Sequence, residues 1–167
     1  MTVSKQSSGS AKYVKVTSTS NLTDGKYIVV FEGATVNSTD VAPCAFNGAL
    51  TTLDAVSNYV LVTPVNGEIA ASDAINAAAF TFTASNGAFL GTGGKYFGND
   101  SNSNGLTSSD SPMSNTITFN ADGSANIVST GGAYLRFNAT SGQTRFRYYK
   151  SSSYTGQKPV YLYKLTD

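Results

Sequence analysis

The chain contains no histidine and no tryptophan, one cysteine, four prolines, and only 13% charged residues in 167. Without histidine there is no Ser-His-Asp or Cys-His arrangement, no histidine zinc site, and no use of the commonest general base near neutral pH. The ten carboxylates mostly stand at turn positions such as Asp24, Glu68 and Asp122, where they have structural reasons to be. We therefore expect no catalytic residues, no enzyme activity and no cofactor. A lone Cys44 excludes an intrachain disulfide, so stability must come from packing; it leaves the redox compartment unread.

Low charge argues against long amphipathic helices, which carry Glu and Lys in bulk. A net charge of +1 removes any global attraction to nucleic acid or a membrane surface, and no apolar run approaches the roughly eighteen residues that span a bilayer. Neither a nucleic-acid partner nor membrane insertion is expected. The polar opening, residues 1–10, is not a signal peptide. Two expectations follow: synthesis in a cytoplasm as the chain stands, or a leader removed with a methionine in its place.

What is abundant is Ser, Thr, Asn and Gly around short runs of β-branched and aromatic residues. Residues 1–11 read as a flexible or partner-bound arm, and 12–167 as one β-module large enough for its own core. Tyr13–Thr17 alternates like an edge strand, whereas Lys26–Glu32 is continuously apolar at its centre, like an interior strand. Asn47-Gly48, Asn66-Gly67 and Asn86-Gly87 mark turns, and Ala121–Ser124 joins two strands as a hairpin. Ser72-Asp73 fits the cap of a single helical turn. Ten to thirteen short strands predict an all-β fold with minimal helix, a single antiparallel barrel or sandwich. A recurring phrase, at Gly25, Gly87, Gly94 and Gly132, places glycine before an aromatic-led strand. A turn glycine explains each copy; a β-trefoil-like duplication of the barrel is the alternative.

The most informative stretch is Gly132–Tyr149. Two alternating runs flank Ser141-Gly142, which predicts a hairpin pairing Phe137 with Phe146, Leu135 with Tyr148, Arg136 with Arg147 and Asn138 with Arg145. Arg136, Arg145 and Arg147 are the only arginines, and no acidic residue lies between Asp122 and Asp167. Like charges opposed on a sheet cost up to about 1 kcal/mol, so something must offset them. Solvent and arginine stems lying over tyrosine rings would suffice, and so would a partner presenting acceptors to the guanidinium forks.

Six of the ten tyrosines and six of the eleven cations fall between Tyr134 and Lys164. Tyrosine is enriched in recognition surfaces because it offers a rigid face and a hydroxyl at low entropic cost. The candidate contact surface is Arg136, Arg145 and Arg147 with Tyr134, Tyr149 and Tyr161; Tyr154 is a further aromatic face for a sugar ring. Asp100, Asn102 and Asn104 match the opening half of a calcium loop, although the glutamate at its twelfth position is missing. Gly91–Lys95 only superficially resembles a phosphate loop, with Tyr96 where Ser or Thr belongs.

Tyr134-Leu-Arg-Phe-Asn, Gln143-Thr-Arg-Phe-Arg-Tyr-Tyr-Lys and Tyr161-Leu-Tyr-Lys-Leu, with Leu22–Val30 and Ala45–Leu50 in the first half, resemble a terminal β-module. That module stands at the ends of many secreted proteins of gut Bacteroidetes. The resemblance covers about residues 13–165 and implies a non-catalytic accessory role. The expected role is surface binding or adhesion outside the cell or at its surface, with a glycan or cell-surface polymer as partner. Because the chain stands without an enzyme domain, the alternative is a virion surface protein, a capsid decoration or head fibre, of a phage infecting such bacteria. Its partners would then be neighbouring subunits.

Overall fold

A computed structural model describes residues 11–150 and 156–166. In chain order the strands are β1 (Lys12–Val16), β2 (Gly25–Phe31), β3 (Ala34–Val36), β4 (Thr39–Val41), β5 (Cys44–Phe46), β6 (Tyr59–Leu61), β7 (Glu68–Ala70) and β8 (Phe80–Thr83). They continue with β9 (Ala88–Gly91), β10 (Tyr96–Gly98), β11 (Thr107–Ser109), β12 (Asn115–Phe119), β13 (Ala125–Ser129), β14 (Tyr134–Asn138), β15 (Arg145–Tyr149), β16 (Gln157–Lys158) and β17 (Tyr161–Thr166). One α-helix, α1 (Asp73–Ala78), is capped as its sequence predicts, with Ser72 Oγ accepting from the Ile75 amide at 3.2 Å.

The fold is all-β and antiparallel. A ten-stranded sheet runs β11-β10-β9-β8-β2-β17-β1-β7, with β5 and β6 branching from β2. A five-stranded sheet runs β12-β13-β14-β15, with β16 on the far part of β14. Neither sheet closes on itself, so the barrel, and with it the trefoil-like variant, gives way to a sandwich-like arrangement. The recurring glycines do what a turn requires: Gly25, Gly87, Gly94 and Gly132 all have positive φ. At Gly132 an added Cβ would meet open space, so conformation and not room demands the glycine there.

The main core lies between the sheets. Phe31 stacks on Phe137 with centroids 4.4 Å apart, and Phe46 stacks on Phe146 at 5.2 Å while also touching Phe80 and Phe97. A second cluster, including Tyr13, Ile28, Val30, Ile69 and Tyr163, lies on the other side of the large sheet. Successive residues of β2 enter opposite clusters: Tyr27, Val29 and Phe31 one, Ile28 and Val30 the other. That double burial is why this strand reads as a continuous apolar run.

Two expectations need correction, and a third falls outside what the structure describes. β1 is not an edge strand, because β7 pairs with its outer side from Lys12↔Ala70 to Val14↔Glu68. Seventeen strands exceed the ten to thirteen anticipated, since segments of two or three residues leave too little pattern to detect periodicity. The N-terminal arm, Ala11 apart, lies outside the described residues.

Candidate functional site

The β14–β15 hairpin has the predicted register, Leu135↔Tyr148, Arg136↔Arg147, Phe137↔Phe146 and Asn138↔Arg145. Leu135, Phe137, Phe146 and Tyr148 enter the core. The opposite face carries three rows: Tyr134 beside Tyr149, Arg136 beside Arg147, and Asn138 beside Arg145. β16 extends the last row, because Gln157 pairs with Asn138.

The charge on this face is not left unrelieved, as local sequence suggested. Asp54, 93 residues before Arg147, accepts from Arg147 Nη2 at 3.3 Å through Oδ2. Its Oδ1 lies 3.2 Å from Arg147 Nε, off the line of a good hydrogen bond, and 4.0 Å from Arg145 Nη1. One carboxylate thus stands between two guanidiniums. Among the described residues Arg136 has no such partner; its guanidinium carbon sits 5.1 Å from the Tyr134 ring centre. Burial lowers the Arg136 pKa, which the neighbouring Tyr134 opposes, and guanidinium basicity keeps it protonated across the physiological range.

A buried amide holds Asp54 in place. Asn58, fully buried, donates from Nδ2 to the Leu53 carbonyl at 2.7 Å and the Phe146 carbonyl at 2.9 Å, and accepts from the Phe146 amide at 2.8 Å. Its side chain thereby stands in for a paired strand along the outer edge of β15. The Ser57 amide donates to Thr144 O at 2.8 Å, and Gly105 exchanges backbone bonds with Tyr148. Asn104 Oδ1 accepts from the Lys150 amide at 3.0 Å. Loops therefore satisfy the edge that would otherwise invite another strand.

These bonds reassign the calcium-loop candidates. Asn104 uses its side-chain oxygen on β15's exit, Asp100 and Asn102 are exposed, and the loop is organised by buried Asn99. Asn99 donates to Ser103 O at 2.9 Å and accepts from the Ser101 amide at 3.0 Å. Among the described residues no group of three His, Cys, Asp or Glu side chains is arranged to hold a metal.

Beside the arginine rows lies an open cleft of about 470 Å³, lined by Asn104, Asn138, Thr140, Gln143, Arg147, Tyr149, Gly156 and Gln157. Among the described residues no carboxylate lines it. Gln157 is 9% exposed, and neither its Nε2 nor its Oε1 has a hydrogen-bond partner among the described residues. Tyr149, expected to be exposed, is 5% exposed. Burial raises its pKa, while a hydrogen bond with Asn138 and the charges of Arg147 and Arg145 pull it back.

Of the six candidates, Arg147 and Tyr149 line the cleft, Arg145 joins them through Asp54, and Arg136 and Tyr134 flank them. Tyr161 belongs elsewhere: on β17 it lies under Lys15 Nζ, 4.6 Å from its ring centre, where Lys15 pairs with Glu32 at 2.7 Å. The β17 strand sends it to that place because its neighbours in register are those of β2 and β1. Tyr154 lies outside the described residues. Sequence reasoning missed Asp54, Asn58 and Gln157, none of which stands in a recognisable motif.

Compared with family models, with curated proteins and with solved structures, the chain matches none. Among the described residues no helix is long and apolar enough to cross a membrane.

Proposed function

We propose that the protein is a non-catalytic surface-binding module whose cleft between β14, β15 and β16 takes carbohydrate. The observation that carries this reading is Gln157 at the cleft wall, a buried amide whose donor and acceptor both lack a partner among the described residues. An unpaired buried polar group costs about 1–3 kcal/mol, and a sugar hydroxyl, donor and acceptor at once, would recover that for either atom. Asn104, Asn138, Thr140 and Gln143 supply further neutral hydrogen-bonding groups, and Tyr149 an aromatic wall. The sequence resemblance adds an extracellular, gut-bacterial setting.

A glycan array probed with the whole chain tests this. Binding should be lost in Tyr149→Ala and weakened in Arg147→Ala, with folding verified by circular dichroism. Binding that is undiminished in both folded variants would place the site elsewhere. Steady turnover of a polysaccharide, stopped by removal of one carboxylate, would replace the module with an enzyme.

One observation favours the virion reading: β6 has no partner on its outer edge among the described residues, and Leu61, which ends it, is 68% exposed. A second copy pairing along this edge would bury both. On that reading sedimentation gives a symmetric oligomer that Leu61→Lys dissociates, and a monomer at every concentration excludes it.

A further inference from the structure

Resting on the carbohydrate reading, we infer that the cleft selects an acidic saccharide, a sugar ring bearing a carboxylate or sulfate, over its neutral counterpart. Three guanidiniums occupy adjoining rows of one sheet face, and the single carboxylate among them, Asp54, does not line the cleft. Asp54 meets Arg147 through Nε and Nη2, which leaves further Nη protons of the same guanidinium on a residue that does line it. The Nε atoms of Arg136 and Arg145 are likewise buried without hydrogen-bond partners.

A planar fork that is already held on one edge by a carboxylate is pre-oriented, so a second anion meets it without loss of side-chain freedom. The anionic group of the ligand would meet no like charge in the cleft lining. Gln157 sits one row along, across from Asn138, and reads the hydroxyls beside that anionic group. Division of labour follows: the amide row recognises the sugar, and the arginine row distinguishes its charge.

Calorimetric titration of the whole chain provides the test, with three probes: a uronic-acid oligosaccharide, its carboxyl-methylated neutral form, and a sulfated oligosaccharide. The acidic probes should bind at least about tenfold tighter than the neutral one, a preference that shrinks as salt rises. Whichever acidic probe binds tighter identifies the anionic group. Arg147→Gln should erase the preference and keep weak binding of the neutral sugar. Gln157→Glu, which places a carboxylate in the cleft at unchanged shape, should abolish acidic binding more than neutral binding. Equal or tighter binding of the neutral sugar overturns the inference and leaves the carbohydrate reading standing, whereas no binding of any probe overturns both.

Discussion

Asn58→Leu should lower the free energy of unfolding by about 3–5 kcal/mol, because it leaves two backbone groups unpaired in the interior at about 1–3 kcal/mol each and takes one of two donors from a third. The two are the Phe146 amide and carbonyl, bonded to one fully buried side chain; the third is the Leu53 carbonyl, which keeps the Ala55 amide at 3.1 Å. Leucine shares asparagine's side-chain heavy-atom count and branching and opens no cavity, so the loss is chiefly one of pairing. In a chain of this length the change should appear as a fall in Tm of roughly 10 °C or more. Urea unfolding measures it, with Asn126→Leu as the comparison. Asn126 bonds only to the side chains of Asn120 and Thr118 near the surface, and its loss should cost below about 1 kcal/mol. Equal effects in the two variants would refute the clamp. The variant should also release Asp54 and weaken the cleft, since the loop that carries this carboxylate is tied to β15 through Asn58.

The hairpin was legible in the sequence because alternation and loop length together admit few registers. Phe137 and Phe146 must both face the core, and a slip of one residue would bring Arg136 inward. The same logic found the interior strand β2 and the capped turn of α1. Periodicity reports which way a side chain points, however, and not what stands over it. Tyr149 alternates outward as expected and is nonetheless 5% exposed, with Asn138, Arg147, Arg145 and Asp54 close enough to act on its hydroxyl.

Long-range partners were illegible for a related reason. Asp54 lies in a polar stretch between two turns, and its meeting with Arg147 follows from where Asn58 fastens that stretch to β15. An asparagine after a serine signals a loop in any sequence; only the fold shows its amide in place of a strand. The calcium-like spacing is ambiguous for the same reason. Asn and Ser at alternate positions are what a cation loop uses, and also what a loop needs to satisfy its own amides and the edge of a neighbouring strand.

The stability of the protein should fall steeply in alkali and stay nearly flat from about pH 6 to 8.5, because histidine, the side chain that ordinarily titrates there, is absent. Tyr13, Tyr27, Tyr148 and Tyr163 are all fully buried. Burial pushes Tyr13 up to about 12 and raises the other three, with the Glu32 carboxylate adding to the effect at Tyr163. Burial also raises the Cys44 thiol. In the unfolded chain tyrosines ionise near pH 10 and a cysteine near 8.5. Above those values the unfolded state therefore holds fewer protons than the folded one, and stability declines with pH. The tyrosine contribution is whole below about pH 10 and that of the cysteine below about 8.5, and each is lost as pH climbs through its folded pKa. Each such group steepens the decline by about 1.4 kcal/mol per pH unit, so four tyrosines together give up to about 5.5. Against a total of roughly 5–15 kcal/mol, unfolding should be complete within about two to three units above pH 10. Equilibrium unfolding followed across this range, with tyrosinate absorbance as a second probe, gives the slope. Tyr13→Phe removes one titrating group along with a 2.8 Å bond to Asn76, so it should lower stability modestly at pH 7 while making the alkaline decline shallower by about 1.4 kcal/mol per unit. A free energy of unfolding that stays constant up to pH 11.5 would mean that these hydroxyls ionise as freely in the folded protein as in the unfolded chain.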